Sequence, residues 1–278
     1  MKSSPSDQIT VSLALPRLLA VTSARHDGAT CFALALSGLL ANAGRRTLLL
    51  DLHPHRPEIS AFLDLDESST IYHLAHRAKL APVTGAVLER HVRWLQGLAV
   101  LAGTGDPTQQ EDVTDAFLAE LLHVALAAFD VVVADLGMPR AQLPNAAVNG
   151  LVLWVLWPKP LGLEAFDRSW RVLTDAQAPW LQRVQVVLQD RPHSLPNVED
   201  LLDSEYSLPV LATLPGEQEV WDRLEDQHSL EPFILPEAGR ARFDRRHGSG
   251  AWKTRQALSA AIADFRPGAA GWHQAVEA

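Results

Sequence analysis

The sequence predicts a doubly wound α/β fold, with a mostly parallel central sheet flanked by helices. Short apolar runs recur at residues 18–22, 47–52, 98–101, 131–135 and 151–157, then at 184–188 and 210–212. The runs at 48–50, 131–133 and 151–156 lack apolar/polar alternation, as strands buried on both faces do. Most of these runs are followed by a helical pattern, and alternating strand and helix argue for a parallel sheet.

Taken in order, the first run, 18–22, leads through a short loop into a densely apolar helix. That helix carries Phe32, Leu34, Ala35, Leu36, Leu39 and Leu40 and ends at Gly44, a favourable C-terminal cap. The strands at 47–52 and 131–135 carry the acids Asp51 and Asp135 at their ends. Thr114 caps a helix whose inner faces hold Phe117, Leu118, Leu121, Leu122, Ala125 and Leu126. The run at 151–157 is the most apolar and contains Trp154 and Trp157, read as core and rim. Residues 232–250, rich in Pro, Gly and Arg, read as a long loop, and Thr254 opens a last amphipathic helix with Leu258, Ala261, Ile262 and Phe265. With no internal repeat and no low-complexity linker, one domain over 17–265 is expected, with tails at 1–16 and 266–278.

Composition narrows the function classes. A net charge of −9 argues against the whole chain being a DNA coat. The single cysteine, Cys31, excludes an internal disulfide framework and fits a reducing, cytoplasmic setting. Residues 1–7 have no apolar core of a secretory signal, and no run approaches the ~18 apolar residues of a membrane span.

The informative segment is Ala24-Arg25-His26-Asp27-Gly28-Ala29-Thr30-Cys31, lying between the first strand and its helix. A P-loop sits at this position with Gly-rich backbone, Lys and Thr. Gly28 and Thr30 fit that pattern, and Ala29 stands where the phosphate-reading Lys belongs. Helix N-terminal amides still attract anions without it. Residues 25–31 are therefore candidate nucleotide contacts, and a strand-to-helix turn with a Thr cap is the plainer reading. An Asp closing a buried strand opposite such a loop is placed to hold Mg²⁺. Asp51, Asp135 and the Thr30 hydroxyl are the candidate ligands; hydrogen bonding at strand ends is the alternative role. His26, His53 and His55 fit no zinc spacing and read as solvated polar residues. Cys31 reads as a small buried hydrophobe.

With these motifs in order, the chain resembles the ParA/MinD family of deviant Walker A ATPases. Ala24–Thr30 lies over the family's K-G-G-x-G-K-T, and Asp51-Leu52-His53-Pro54-His55 over its D-x-D-P-Q. Phe129-Asp130-Val131-Val132-Val133-Ala134-Asp135 matches an F-D-x-h-h-h-D strand, and Trp157-Pro158-Lys159-Pro160-Leu161 a polar-Pro step after a strand. Leu188-Gln189-Asp190-Arg191 falls on h-N-R, and Leu214-Pro215-Gly216 on L-P-x-D. Gly97-Leu98-Ala99-Val100-Leu101-Ala102-Gly103 and the Gly28-Ala29-Thr30 triplet are similar to the CpaE/TadZ branch of pilus-assembly localisation proteins.

The resemblance implies ATP or ADP with Mg²⁺, with Gln189 and Pro215 on the base side. It also implies a homodimer around two nucleotides and a protein partner in a pilus, secretion or positioning system. The family's intermolecular Lys position is Ala24, its general P-loop Lys is Ala29, and its water-orienting Asp is His53. Each lost charge-assisted hydrogen bond costs about 1.5–3 kcal/mol, so two weaken binding by about two to four decades. Arg25 restores part of the charge in this reading. Hydrolysis suffers more, because phosphoryl transfer depends on charges around the γ-phosphate.

The expected function is a localisation or scaffolding factor with weak or vestigial ATP binding and little or no hydrolysis, so no residue is assigned as catalytic. Two alternatives stand beside it. One is an active partition ATPase that binds DNA non-specifically through the basic cluster Arg240, Arg242, Arg245, Arg246, Lys253 and Arg255. That cluster also reads as a solvated loop balancing an acidic chain. The other is a nucleotide-independent interaction protein. Residues 266–278 lack the cationic amphipathic helix of a MinD-type anchor, so direct membrane insertion is not expected.

Overall fold

The computed structural model describes residues 16–25, 27–53, 57–66, 68–104, 106–139, 150–191 and 193–215, together with 253 and 256–260. Eight strands form one sheet: β1 Leu18–Thr22, β2 Thr47–Asp51, β3 Arg93–Leu95, β4 Leu98–Leu101, β5 Val131–Asp135, β6 Leu151–Leu156, β7 Val184–Asp190 and β8 Val210–Pro215. Their order is β3-β4-β2-β5-β1-β6-β7-β8, and every pairing is parallel except β3 with β4. The doubly wound reading therefore holds.

The helices are α1 Ala29–Asn42, α2 Ile59–Phe62, α3 Ile71–Ala78, α4 Gly85–His91, α5 Pro107–Gln110, α6 Asp115–Ala128, α7 Pro160–Asp175 and α8 Val198–Tyr206. Successive strand residues point to opposite faces, so each strand feeds two cores. Leu48, Leu50, Val132, Ala134, Val152 and Trp154 pack with residues of α3, α4, α6, α7 and α8. Leu49, Val131, Val133, Leu151, Leu153 and Val155 pack with α1, joined by Leu258 from the short helical stretch 256–260. α1 is packed on nearly all sides, with Ile59 and Leu63 in the same core, and eleven of its fourteen residues are buried.

Capping follows the sequence. The Thr114 hydroxyl accepts from the Phe117 amide at the start of α6. Beyond α1, Gly44 is left-handed at φ 79°, and the Arg45 amide reaches back to the Leu40 carbonyl at 3.0 Å, closing a Schellman turn. The antiparallel edge strand β3 and the four-residue helices α2 and α5 were not anticipated. β3 joins β4 through Gln96 and Gly97, both with positive φ, in a two-residue hairpin turn. Gln-Gly is a weaker hairpin signal than Asn-Gly, which is why sequence alone missed it.

On the multi-helix face Trp154 is fully buried, with the Phe166 ring 5.0 Å, Trp170 6.1 Å and Trp180 6.4 Å away. Trp157 is half-buried at the strand's exit, so the core-and-rim reading of the two holds. Removing the Trp154 indole leaves a large cavity among these rings. Trp154→Ala is expected to cost about 3–5 kcal/mol. In urea unfolding this appears as a lower midpoint at an unchanged slope, and a change under 1 kcal/mol would contradict the packing described.

Candidate functional site

In a parallel sheet, side chains that leave the carboxyl ends of the strands where the winding reverses meet in one mouth. Here the chain passes from β1 through α1 to β2 on one side, and later from β5 across β1 to β6 on the other. The loop at 23–28 leaves β1 at that point.

Gly28 is left-handed (φ 89°, ψ 26°), and its carbonyl accepts the Phe32 amide at 2.9 Å, opening α1. A Cβ here would lie 2.7 Å from Gln189 Nε2 and 3.1 Å from an Arg191 guanidinium nitrogen. Only glycine satisfies both the backbone and the close approach. Ala29 and Cys31 turn into the α1 core, consistent with Cys31 as a buried hydrophobe. Ala24 and Ala29 are each 5% exposed.

The Thr30 hydroxyl donates to the Asp135 carboxylate. Asp135 lies in register with Asp51 on β2 and with Val21 on β1, so the loop and both acids share one edge of the sheet. Asp135 Oδ1 also accepts the Gly137 amide at 3.0 Å. Asp51 accepts the amides of His53 (3.1 Å), Ile59 (3.2 Å) and Gly103. Both carboxyls are buried. Burial and the facing Asp135 charge push Asp51 well above the usual carboxylate range. Burial raises Asp135 to about 6, with the Glu58 charge adding to the rise and the Thr30 and Gly137 bonds opposing it. The loop is tied to β5 through the Gly137 carbonyl, which accepts the Thr22 hydroxyl at 2.8 Å and the Ser23 amide at 3.1 Å. A Cβ on Gly137 would strike the ring of half-buried His53, which packs against the end of β5.

The other side of the loop is cationic. Asp27 is 2% exposed and accepts the Trp157 backbone amide, and Arg191, Lys159 and Arg25 act on its charge. Burial raises its carboxyl; the Trp157 bond and the three cations pull it back. Lys159 Nζ stands 3.3 Å from the Trp157 ring centroid and Arg191 Cζ 5.1 Å from it, a cation on each count over an aromatic face. Gln189 is fully buried with neither amide atom hydrogen-bonded, and Trp157 Nε1 and Asp27 Oδ2 are buried without partners among the described residues. Such a concentration of unsatisfied polar atoms calls for an explanation in a ligand or ordered water.

Arg25 is exposed on the loop, and Pro215 ends β8 opposite Asp190. His26, His55, Arg240, Arg242, Arg245, Arg246 and Arg255 lie outside the described residues, as do Trp221, Trp252 and Trp272; Lys253 is exposed. Among the described residues no three His, Cys, Asp or Glu side chains group as metal ligands, and no helix is long and apolar enough to cross a membrane. Lys159, Arg191 and Trp157 were not expected as site residues. Their signal was positional, since each follows a strand that lies beside β1 or one place beyond it.

The sequence matches no family model, and no curated protein matches it. Solved structures do share the fold. A ParA family ATPase from Chlorobium tepidum superposes with a TM-score of 0.67 at 13% identity, covering 85% of this chain and 98% of that one. The cell division ATPase MinD of Pyrococcus furiosus gives 0.64 at 20% identity over 88% and 98%. The septum site-determining protein MinD of Pyrococcus horikoshii, complexed with Mg-ADP, gives 0.62 at 17% identity over 88% and 94%. At these identities the likeness is one of fold: the sheet and its helices are those of ParA/MinD-type P-loop ATPases.

The acid pair sets a pH dependence. Its folded pKa values exceed the ~3.9 of an unfolded aspartate, so protonation favours the fold. That stability is full below the unfolded value and is lost as pH rises through about 6. The lowered carboxyls Asp66, Asp106 and Asp112 act in the opposite sense, in the acid range below their ordinary value of 3.8. The melting temperature without added metal is expected to fall from pH 5 to 7.5. In Asp135→Asn that fall shrinks and the value at pH 7.5 rises; an equal fall in both proteins would contradict the coupling.

Proposed function

We propose that this chain is a ParA/MinD-like protein with a degenerate nucleotide site, binding ATP or ADP with Mg²⁺ weakly and hydrolysing it little or not at all. The observation that carries the reading is a division within one mouth. The parts of a phosphate loop that rest on backbone and hydroxyl are present: left-handed Gly28, the α1 N-terminus, and Thr30 bonded to Asp135 beside Asp51. The parts that rest on lysine charge are replaced by buried Ala24 and Ala29.

The donor set suits a magnesium ion. Two buried carboxyls raised by burial, Asp51 also by the Asp135 charge, with a hydroxyl beside them, form an all-oxygen site whose repulsion a divalent cation relieves. Thr30, Asp51 and Asp135 would hold Mg²⁺, which supplies charge to phosphate oxygens when bound. On the base side, the unpartnered Gln189 amide offers one donor and one acceptor next to Gly28. The Mg-ADP complex of the Pyrococcus horikoshii MinD, which shares this fold, supports the choice of ligand.

Hydrolysis needs a group that orients water and cations around the γ-phosphate. His53 stands at the first position and alanines at two of the others. Binding without turnover fits a localisation or scaffolding role, in which a cytoplasmic homodimer docks a protein partner of a pilus, secretion or positioning machine. The likeness to the CpaE/TadZ branch motivates that choice of machine.

Calorimetric titration with Mg-ATP is expected to give weak binding by the wild type. Ala29→Lys should tighten it by about 10- to 150-fold, the worth of one charge-assisted bond. Phosphate release should stay at background in the wild type. No gain from the restored lysine would mean that the loop does not cradle phosphate, and steady turnover would overturn the non-hydrolysing role.

A further inference from the structure

The loop carries an anion of its own. Asp27 immediately precedes Gly28, which starts a fourteen-residue helix, so its carboxylate lies where the amides and dipole of that terminus favour negative charge. It is 2% exposed, takes the Trp157 amide, and leaves Oδ2 without a hydrogen-bond partner among the described residues. The cations nearest in effect come from three separate elements: Arg25 on the loop, Lys159 after β6 and Arg191 after β7. Lys159 and Arg191 are held against the ring of the same Trp157 whose backbone amide Asp27 accepts. An Arg191 guanidinium nitrogen would lie 3.1 Å from a Cβ on the adjoining Gly28, so the two cations converge beside the buried acid. Independently, the fully buried Gln189 amide is aimed at Gly28 with both polar atoms unpartnered.

The geometry points to Asp27 as a built-in competitor for phosphate: its carboxylate occupies the cationic pocket formed by Lys159 and Arg191 at the α1 N-terminus, and a phosphate-bearing ligand binds by displacing it. A phosphate brought to this terminus meets the buried carboxylate and its like charge at close range, so the acid must swing out or be neutralised first. When it leaves, its cations are freed for the incoming phosphate. This deepens the nucleotide reading above and rests on it for the identity of the natural ligand. The pocket itself takes phosphate oxygens, whether of a nucleotide or of free polyphosphate, in place of the carboxylate.

The test compares wild type, Asp27→Asn and Asp27→Asn/Lys159→Ala by calorimetry with Mg-ATP and, separately, with magnesium pyrophosphate. Circular dichroism and thermal melting check that each variant folds, and Asp27→Ser stands in should the Asn variant fail to fold. Asp27→Asn is expected to tighten binding at least tenfold, and the added Lys159→Ala to remove most of that gain. A gain with both ligands supports the proposal. A gain with pyrophosphate alone also supports it, while removing ATP as the ligand. Wild-type binding of Mg-ATP that Asp27→Asn leaves unchanged overturns the competitor role and leaves the nucleotide reading intact. Tightening that survives Lys159→Ala overturns the cationic pocket, and no binding by any variant overturns both readings.

Discussion

The parallel insertion of β5 between β2 and β1 is the constraint on which the mouth depends. It puts Asp51 and Asp135 side by side at the ends of adjacent strands, and it carries the Gly137 carbonyl to the start of the loop. Two buried acids in register repel, and the fold tolerates them through a dense set of donors: three amides on Asp51, one amide and a hydroxyl on Asp135. Any slip of β5 by one residue would turn Asp135 to the opposite face of the sheet and leave those donors unmatched.

Charge is distributed asymmetrically around Gly28. On the side of β2 and β5 the loop faces acids; on the side of β6 and β7 it faces Lys159 and Arg191. An anion at the α1 N-terminus therefore has cations on one flank and a pair of buried carboxyls on the other. Buried Ala24 lies in the loop and buried Ala29 opens α1, between these flanks. Positive charge around Gly28 thus comes from Arg25 on the loop and from Lys159 and Arg191 at neighbouring strand ends, and these are the cations that an anion at this terminus would meet.

Much of this was legible in the sequence because strand and helix periodicity report burial directly. The unbroken runs at 131–135 and 151–156 could only be strands covered on both faces, and the structure buries all eleven residues. Asp51, Asp135 and Thr30 were legible as polar residues at strand and helix ends, and the structure brings the three to one end of the sheet. The hairpin of β3 was missed, since a three-residue strand has no period to read. Asp27 was legible as a candidate nucleotide contact, not as a buried acid. Its Trp157 bond and two of its three cations, Lys159 and Arg191, come from segments more than 120 residues away, and no local pattern encodes them.

The internal economy of the mouth bears on whether it is a relic. A buried polar atom left without a partner costs about 1–3 kcal/mol, and Gln189, Trp157 and Asp27 incur that cost within one small region. The raised carboxyls of Asp51 and Asp135 add to it at neutral pH. An apolar side chain of similar size at Gln189 would relieve part of the cost, and the neighbouring strand positions Val187 and Leu188 are already apolar. Elsewhere the same sheet is filled with Leu, Val and Ala in two well-packed cores. Among the described residues, buried polar atoms without partners also occur away from the mouth, at Trp154 Nε1, Gln185 Oε1 and Arg93 Nε. At the mouth they fall together on Gln189, Trp157 and Asp27 beside a glycine that admits no Cβ, which fits an opening that takes a polar ligand.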